Sequence, residues 1–273
     1  MSDDKKISNL TKRVLVGAIG IPLLLFIFFE GGYFFFAFSL IVEIFCLFEF
    51  YNIFKNKGVF PLKSVSIFLY TGLLMISFIS PGHPEYVMLL FILSTLLIFT
   101  FEVFRKEKRS PLNPVISAAG FLYISLPFLL LNFFYINAEK LTQNFNYVIY
   151  IFVLIWVCDT FAYFGGRLFG KHPLSPISPK KTIEGSITGF IFTVAAALIF
   201  HLILTDKLSM ADALITGSII GTFGQIGDLF ESMLKRYCNV KDSSNIIPGH
   251  GGVLDRFDSL IFVTPLIYIY FFH

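Results

Sequence analysis

Tyr33-Phe-Phe-Phe-Ala-Phe-Ser-Leu-Ile-Val-Glu43-Ile-Phe-Cys46-Leu-Phe-Glu49-Phe-Tyr-Asn-Ile-Phe54 decides the fold. The run is continuously apolar and lacks the alternation of a barrel strand. It is long enough to cross a hydrocarbon core as a helix, which takes about 20 residues. Comparable runs cover 14–29, 64–80, 86–104, 115–136, 147–164, 185–204, 211–230 and 259–272. The reading is an all-α, polytopic membrane protein of about nine spans. The first and last runs are short. The first ends in Glu30-Gly31-Gly32 rather than a small-residue cleavage site, so it reads as a retained span.

Composition agrees. The 273 residues are 56% hydrophobic and 14% charged, against about 25% charged in soluble domains. A disordered chain, a coiled coil and an ordinary cytosolic enzyme are excluded. The net charge of +3 offers no case for nucleic acid, and Cys46, Cys158 and Cys238 form no CxxC pair. The positions of the charges say more. Nineteen of the 21 Lys and Arg lie in the N-terminal tail or in connections after even-numbered spans. Basic residues in short loops mark the cytoplasmic side, which places the N-terminus inside and the C-terminus outside. Residues 1–273 read as one membrane domain: 1–146 mainly scaffold spans, 147–273 the spans and loops carrying chemistry.

That chemistry gathers in two loops expected at 165–184 and 231–258, with the span ends beside them. In span six, Asp159, Tyr163, Gly166 and Arg167 share a helical face. Ionisable groups at membrane depth are costly and usually functional; an Asp159–Arg167 pair that merely satisfies the bundle is the alternative. Lys171 follows, then Ser178-Pro179-Lys180-Lys181-Thr182. Ser-Pro there reads as a helix start whose free N–H groups suit a phosphate, although taken alone the lysines are better explained by topology or anionic lipid. Glycines 217, 221, 224 and 227 read as close packing points. Asp228, Ser232, Lys235 and Arg236 share the next face, either as a self-neutralising stripe or as a metal site beside polyphosphate.

The most specific signal is Lys241-Asp242 followed by Pro248-Gly-His250-Gly251-Gly252-Val-Leu-Asp255-Arg256-Phe-Asp258. Glycines around a histidine allow backbone to approach a ligand closely. Asp255 and Asp258 can face one site if the turn between them is helical. Hard oxygen donors with phosphates suit Mg2+. His250 fits contact with phosphate or loop positioning better than metal ligation. Glu43 and Glu49 in span two are further intramembrane acids; for Glu49 a pocket role and helix–helix hydrogen bonding are equally compatible. His201 has no assigned role.

Residues 156–258, from Asp159-Thr-x-Ala-Tyr-x-x-Gly-Arg167 through the final Asp255-Arg256-x-Asp258, resemble the signature of the phosphatidate cytidylyltransferases, also called CDP-diacylglycerol synthases. The resemblance implies transfer of CMP from CTP to phosphatidate, giving CDP-diacylglycerol and pyrophosphate in phospholipid synthesis, with Mg2+ and room for a second cation. It implies metal held by Asp228, Asp255 and Asp258, and repulsion relieved by Lys235, Arg236, Lys241 and Arg256. Ser178, Lys180, Lys181 and Thr182 would hold phosphate oxygens. Asp159, Arg167, Lys171, Ser232, Asp242, His250, Gly251 and Gly252 would complete the substrate site. The resemblance also implies a homodimer. So short a chain with minimal tails points to a bacterial inner membrane, with an organelle membrane as the alternative. The basic loops turn the site to the cytoplasm. Two rivals stand beside this reading. A CTP-using lipid kinase would leave labelled nucleotide in soluble CDP. An ion-coupled transporter would carry midplane charges and related halves, and neither is evident.

Overall fold

The computed structural model describes residues 9–80, 83–141, 146–247, 249 and 251–272. Lys5, Lys6, Pro248 and His250 lie outside them. Among the described residues the chain is helical, with no strand and two isolated bridges, Pro173 with Thr182 and Ile247 with Gly251. The helices are α1 (Asn9–Glu30), α2 (Gly32–Ile53), α3 (Lys63–Ile79), α4 (Pro84–Phe104), α5 (Leu112–Gly120) and α6 (Leu126–Leu141). There follow α7 (Tyr147–Phe169), α8 (Ile183–Ile203), α9 (Met210–Ile219), α10 (Gln225–Tyr237) and α11 (Leu254–Phe272). Single π turns, Phe121–Ser125 and Ile220–Gly224, fuse α5 to α6 and α9 to α10. Helices dominate because hydrocarbon cannot satisfy backbone N–H and C=O groups.

Among the described residues, six helical stretches are long and apolar enough to cross a bilayer: Gly32–Lys57, Glu85–Phe104, Leu112–Asn137, Tyr147–Phe169, Ile183–Ile203 and Met210–Tyr237. Gly17–Glu30 and Lys63–Ile79 are shorter apolar helices. The protein is therefore a helical membrane protein.

Polar side chains close the helix ends. Asn146 caps α7 by accepting from the amides of Val148 and Ile149, and donates to the Phe28 carbonyl at 2.6 Å. Buried Asn113 donates to Glu102 at 2.6 Å and accepts from the Phe60 amide at 2.8 Å, tying α4, α5 and the α2–α3 connection together. The Asn146 contacts give partners to backbone groups at the end of α1 and the start of α7.

Aromatic packing holds the bundle under the site. Phe152 of α7 lies 4.7 Å from Phe28 and 6.3 Å from Phe257, which also neighbours Phe38 and Phe128. Such edge and tilted pairs suit the ring quadrupole. They link α1, α2, α6, α7 and α11.

The two chemistry-bearing loops are shorter than expected. Helix α7 continues through Arg167 to Phe169, and α10 continues to Tyr237. Polar residues extend these helices beyond the apolar runs because the intrahelical hydrogen bonds persist whichever side chains are attached. The helix start expected at Ser178-Pro179 is displaced to Thr182, whose hydroxyl accepts from the Gly185 amide at 3.2 Å. Ser178 instead begins a turn, its carbonyl accepting from the Lys181 amide. Pairing of Leu174 with Lys181 and of Ile183 with His172 holds Thr182 extended, the conformation an N-cap needs.

Candidate active site

Four helix ends converge: α7 and α10 finish where α8 and α11 begin. Close approach between α7 and α8 comes from glycine. A Cβ at Gly185 would lie 2.6 Å from the Ala162 carbonyl, and one at Gly189 would lie 3.0 Å from that of Cys158. Gly227 similarly brings α10 against the Asp258 carbonyl of α11, at 2.6 Å from a hypothetical Cβ. Gly217 and Gly221 approach α8 in the same way.

Between these ends lies a cavity of about 1090 Å3. Of the residues singled out from sequence, it is lined by Asp159, Arg167, Ser178, Lys180, Lys181, Thr182, Asp228, Lys235, Asp242, Asp255, Arg256 and Asp258. Lys171, Ser232, Arg236, Lys241, Gly251 and Gly252 are not among its walls. Arg236 turns instead to the Val240 carbonyl at 3.0 Å, closing the end of α10. The Lys171 amide is bound by Glu184, which also takes both the amide and the ring of His172.

The polar wall contains two ion-paired clusters. Lys181, from the loop before α8, meets the carboxylate of Asp228, whose other oxygen is 3.5 Å from the Ser232 hydroxyl. Lys235 sits between Glu231, one turn earlier on α10, and Asp255 of α11, the latter at 2.5 Å. Asp255 is well supplied with donors. Its second oxygen accepts from the Gly252 amide at 2.7 Å and from the Ser243 amide and hydroxyl at 3.1 and 3.0 Å. Asp258 is buried, with one oxygen on the Ser259 amide at 2.7 Å. No ion pair joins Asp159 to Arg167, although both line the cavity.

Two acids gained importance only in three dimensions. Glu231 is buried, and its Oε1 has no hydrogen-bond partner. Its spacing of four from Lys235 was the available signal. Glu49 of α2, far away in sequence, binds the loop and start of α11 through four hydrogen bonds.

Six carboxylates and five Lys or Arg line the cavity. Two of the cations, Lys181 and Lys235, are already engaged by acids. Polyanionic phosphates would therefore meet little net positive charge without an added cation. Among the described residues no group of three His, Cys, Asp or Glu converges as a ready metal site. Mg2+ fits such a wall, because it commonly takes one or two carboxylates and completes its shell with phosphate and water.

Part of the lining is apolar. It is formed by Gly17, Gly20, Ile21 and Leu24 of α1 with Phe152, Ile155 and Trp156 of α7. One cavity thus offers both charged groups and hydrocarbon.

The class this defines is an integral-membrane enzyme for phosphorylated, amphipathic substrates. The profile of the cytidylyltransferase family matches residues 11–273, and the chain belongs to that family. It is similar to the phosphatidate cytidylyltransferase of Staphylococcus epidermidis RP62A, with 31% identity over 262 residues, 94% of this chain and 97% of the relative. That of Staphylococcus aureus COL is 33% identical over 261 residues, with the same coverage. That of Staphylococcus haemolyticus is 40% identical over 174 residues, 63% of this chain and 65% of the relative.

Proposed function

We propose that the protein transfers CMP from CTP to phosphatidate, forming CDP-diacylglycerol and releasing pyrophosphate. The observation that carries this reading is a single cavity of about 1090 Å3 whose lining combines acids and cations with apolar residues of α1 and α7. Family membership supplies the nucleotide, and the names of the relatives supply the lipid.

The phosphatidate oxygen is already anionic, so no strong general base is required. The obstacle is the approach of two anions. Lys180, Lys181, Arg167 and Arg256 line the wall where phosphate charge would lie, and Thr182 and Ser178 add hydroxyl donors. Lys235, held between Glu231 and Asp255, keeps a fixed position from which to meet developing charge. Asp228 and Asp258 would hold Mg2+, Asp228 by exchanging Lys181 for the cation. Asp255 would join them only by giving up contact with Lys235, and Asp159 remains either a third ligand or a positioning group. When bound, the cation supplies charge neutralisation on the triphosphate and orients the departing pyrophosphate. The apolar wall of α1 and α7 receives the diacylglycerol chains laterally from the bilayer, while CTP enters from water.

The topology that fits this chemistry has nine spans, the N-terminus and active site cytoplasmic and the C-terminus outside. The near one-sided distribution of Lys and Arg supports it. A bacterial inner membrane and a homodimer complete the proposal. Purified protein given labelled CTP, Mg2+ and phosphatidate should place label in lipid with equimolar pyrophosphate. Label appearing only in soluble CDP would make it a kinase.

A further inference from the structure

Glu49 is 1% exposed, yet no assigned step uses it. Its Oε2 accepts from the Ser243 hydroxyl at 2.8 Å and the Leu254 amide at 2.8 Å. Its Oε1 accepts from the Ser244 hydroxyl at 2.5 Å and the Val253 amide at 3.0 Å. All four donors are neutral, and two are backbone groups at the start of α11. An acid there satisfies amides the helix leaves unpaired and is favoured by its dipole. Two contacts carry the effect further. The Ser243 hydroxyl also lies 3.0 Å from Asp255 Oδ2, and the other oxygen of Asp255 holds Lys235. A hydroxyl has one proton, so Ser243 serves Glu49 or Asp255 at any moment and couples the two. Gly252 is the second link: a Cβ there would lie 2.5 Å from Glu49 Oε2 and collide with the Ser243 hydroxyl. The bare backbone at Gly252 therefore makes room for a carboxylate contributed by α2.

We propose that Glu49 is a positioning residue for the transfer site. It clamps Ser243, Ser244, Val253 and Leu254 to α2 and, through Ser243, sets the Asp255–Lys235 pair. The role in turnover rests on the function proposed above; the clamp itself does not.

The test uses the full-length protein in lipid nanodiscs with Glu49→Gln, Ser243→Ala and the double variant. The amide of Gln would point a donor at groups that are themselves donors. Glu49→Gln should lower kcat by about 100-fold, the cost of misplacing a reacting group by about an ångström. KM for phosphatidate should change by less than about threefold, since the apolar wall is untouched. Tryptic cleavage after exposed Lys241 should become faster in the same variant. If Glu49 acts through Ser243, the double variant should be no slower in turnover than the worse single one. Additive losses would overturn that coupling. A lower melting temperature with unchanged kcat per folded molecule and unchanged cleavage would reduce Glu49 to a purely structural acid. Should Glu49→Gln not accumulate, Ser243→Ala preserves both backbone contacts and must still lower kcat without moving KM for phosphatidate. Wild-type protein that makes no CDP-diacylglycerol would refute the assigned reaction, while accelerated cleavage in Glu49→Gln would still uphold the clamp and unchanged cleavage would refute it.

Discussion

The ammonium of Lys181 contacts the carboxylate of Asp228, pairing the loop before α8 with the face of α10. Their side chains are 29% and 35% exposed, so the pair is open to exchange with incoming ions. In the free protein, Lys181 thus stands where a metal and a phosphate would divide its role. Exposed pairs of this kind contribute little to stability, about 0–1 kcal/mol. The pair matters for what it can release.

Lys181→Gln should consequently leave melting temperature nearly unchanged. It should reduce kcat/KM for CTP by about 100-fold, as loss of a donor to transition-state charge does. The Mg2+ concentration giving half-maximal rate should not rise, because a competing cation has left Asp228. Initial rates across Mg2+ and CTP concentrations measure both quantities; a sharply higher Mg2+ requirement would contradict the exchange.

Asp228→Asn and Asp258→Asn should abolish turnover while the protein still inserts and folds. Chelation of divalent cations should do the same reversibly, with activity restored by Mg2+. CDP-diacylglycerol formation by either variant at near wild-type rate would remove that residue from the metal assignment.

Asp255→Asn should behave differently. The carboxylate organises Lys235, Gly252 and Ser243 together, so an amide would disturb the loop as well as the chemistry. Loss of turnover should come with faster tryptic cleavage after Lys241. Intact resistance to trypsin would show that the loop does not depend on this acid.

Gly20→Phe tests the apolar wall. Gly20 lines the cavity, and a Cβ there meets nothing within 4 Å, so the substitution begins in open space. KM for long-chain phosphatidate should rise by about tenfold, the equivalent of about 1.4 kcal/mol of binding, while KM for CTP stays unchanged. An equal change for both substrates would argue against a lipid-facing wall.

The helical membrane fold was legible because apolar runs such as 33–54 and 147–164 carry it locally. The acids and lysines were legible for a similar reason: charge is expensive beside a bilayer, so Asp159, Asp228 and Asp258 stand out wherever they occur. Helix ends were less readable. Ser178-Pro179 has the composition of a cap, but the bridge between Pro173 and Thr182 moved the helix start four residues onward. Arg236 shares a helical face with Asp228 in any wheel, yet the free carbonyl of Val240 captures it.

By itself, then, the sequence determined what must leave water, which charges are too costly to be incidental, and how unevenly the connections share the basic residues. The first two follow from properties of single residues; the third is a distribution, 19 of 21 Lys and Arg in the N-terminal tail or alternate connections. Tertiary structure alone decided partners. Leu254 lies 205 residues from Glu49, and its amide is 2.8 Å from that carboxylate. Asp255 was legible as an acid in a motif, but its hold on Lys235 was not. A buried charge must find whatever complement the packed helices bring within hydrogen-bond reach, and that complement is set by packing rather than by neighbours along the chain.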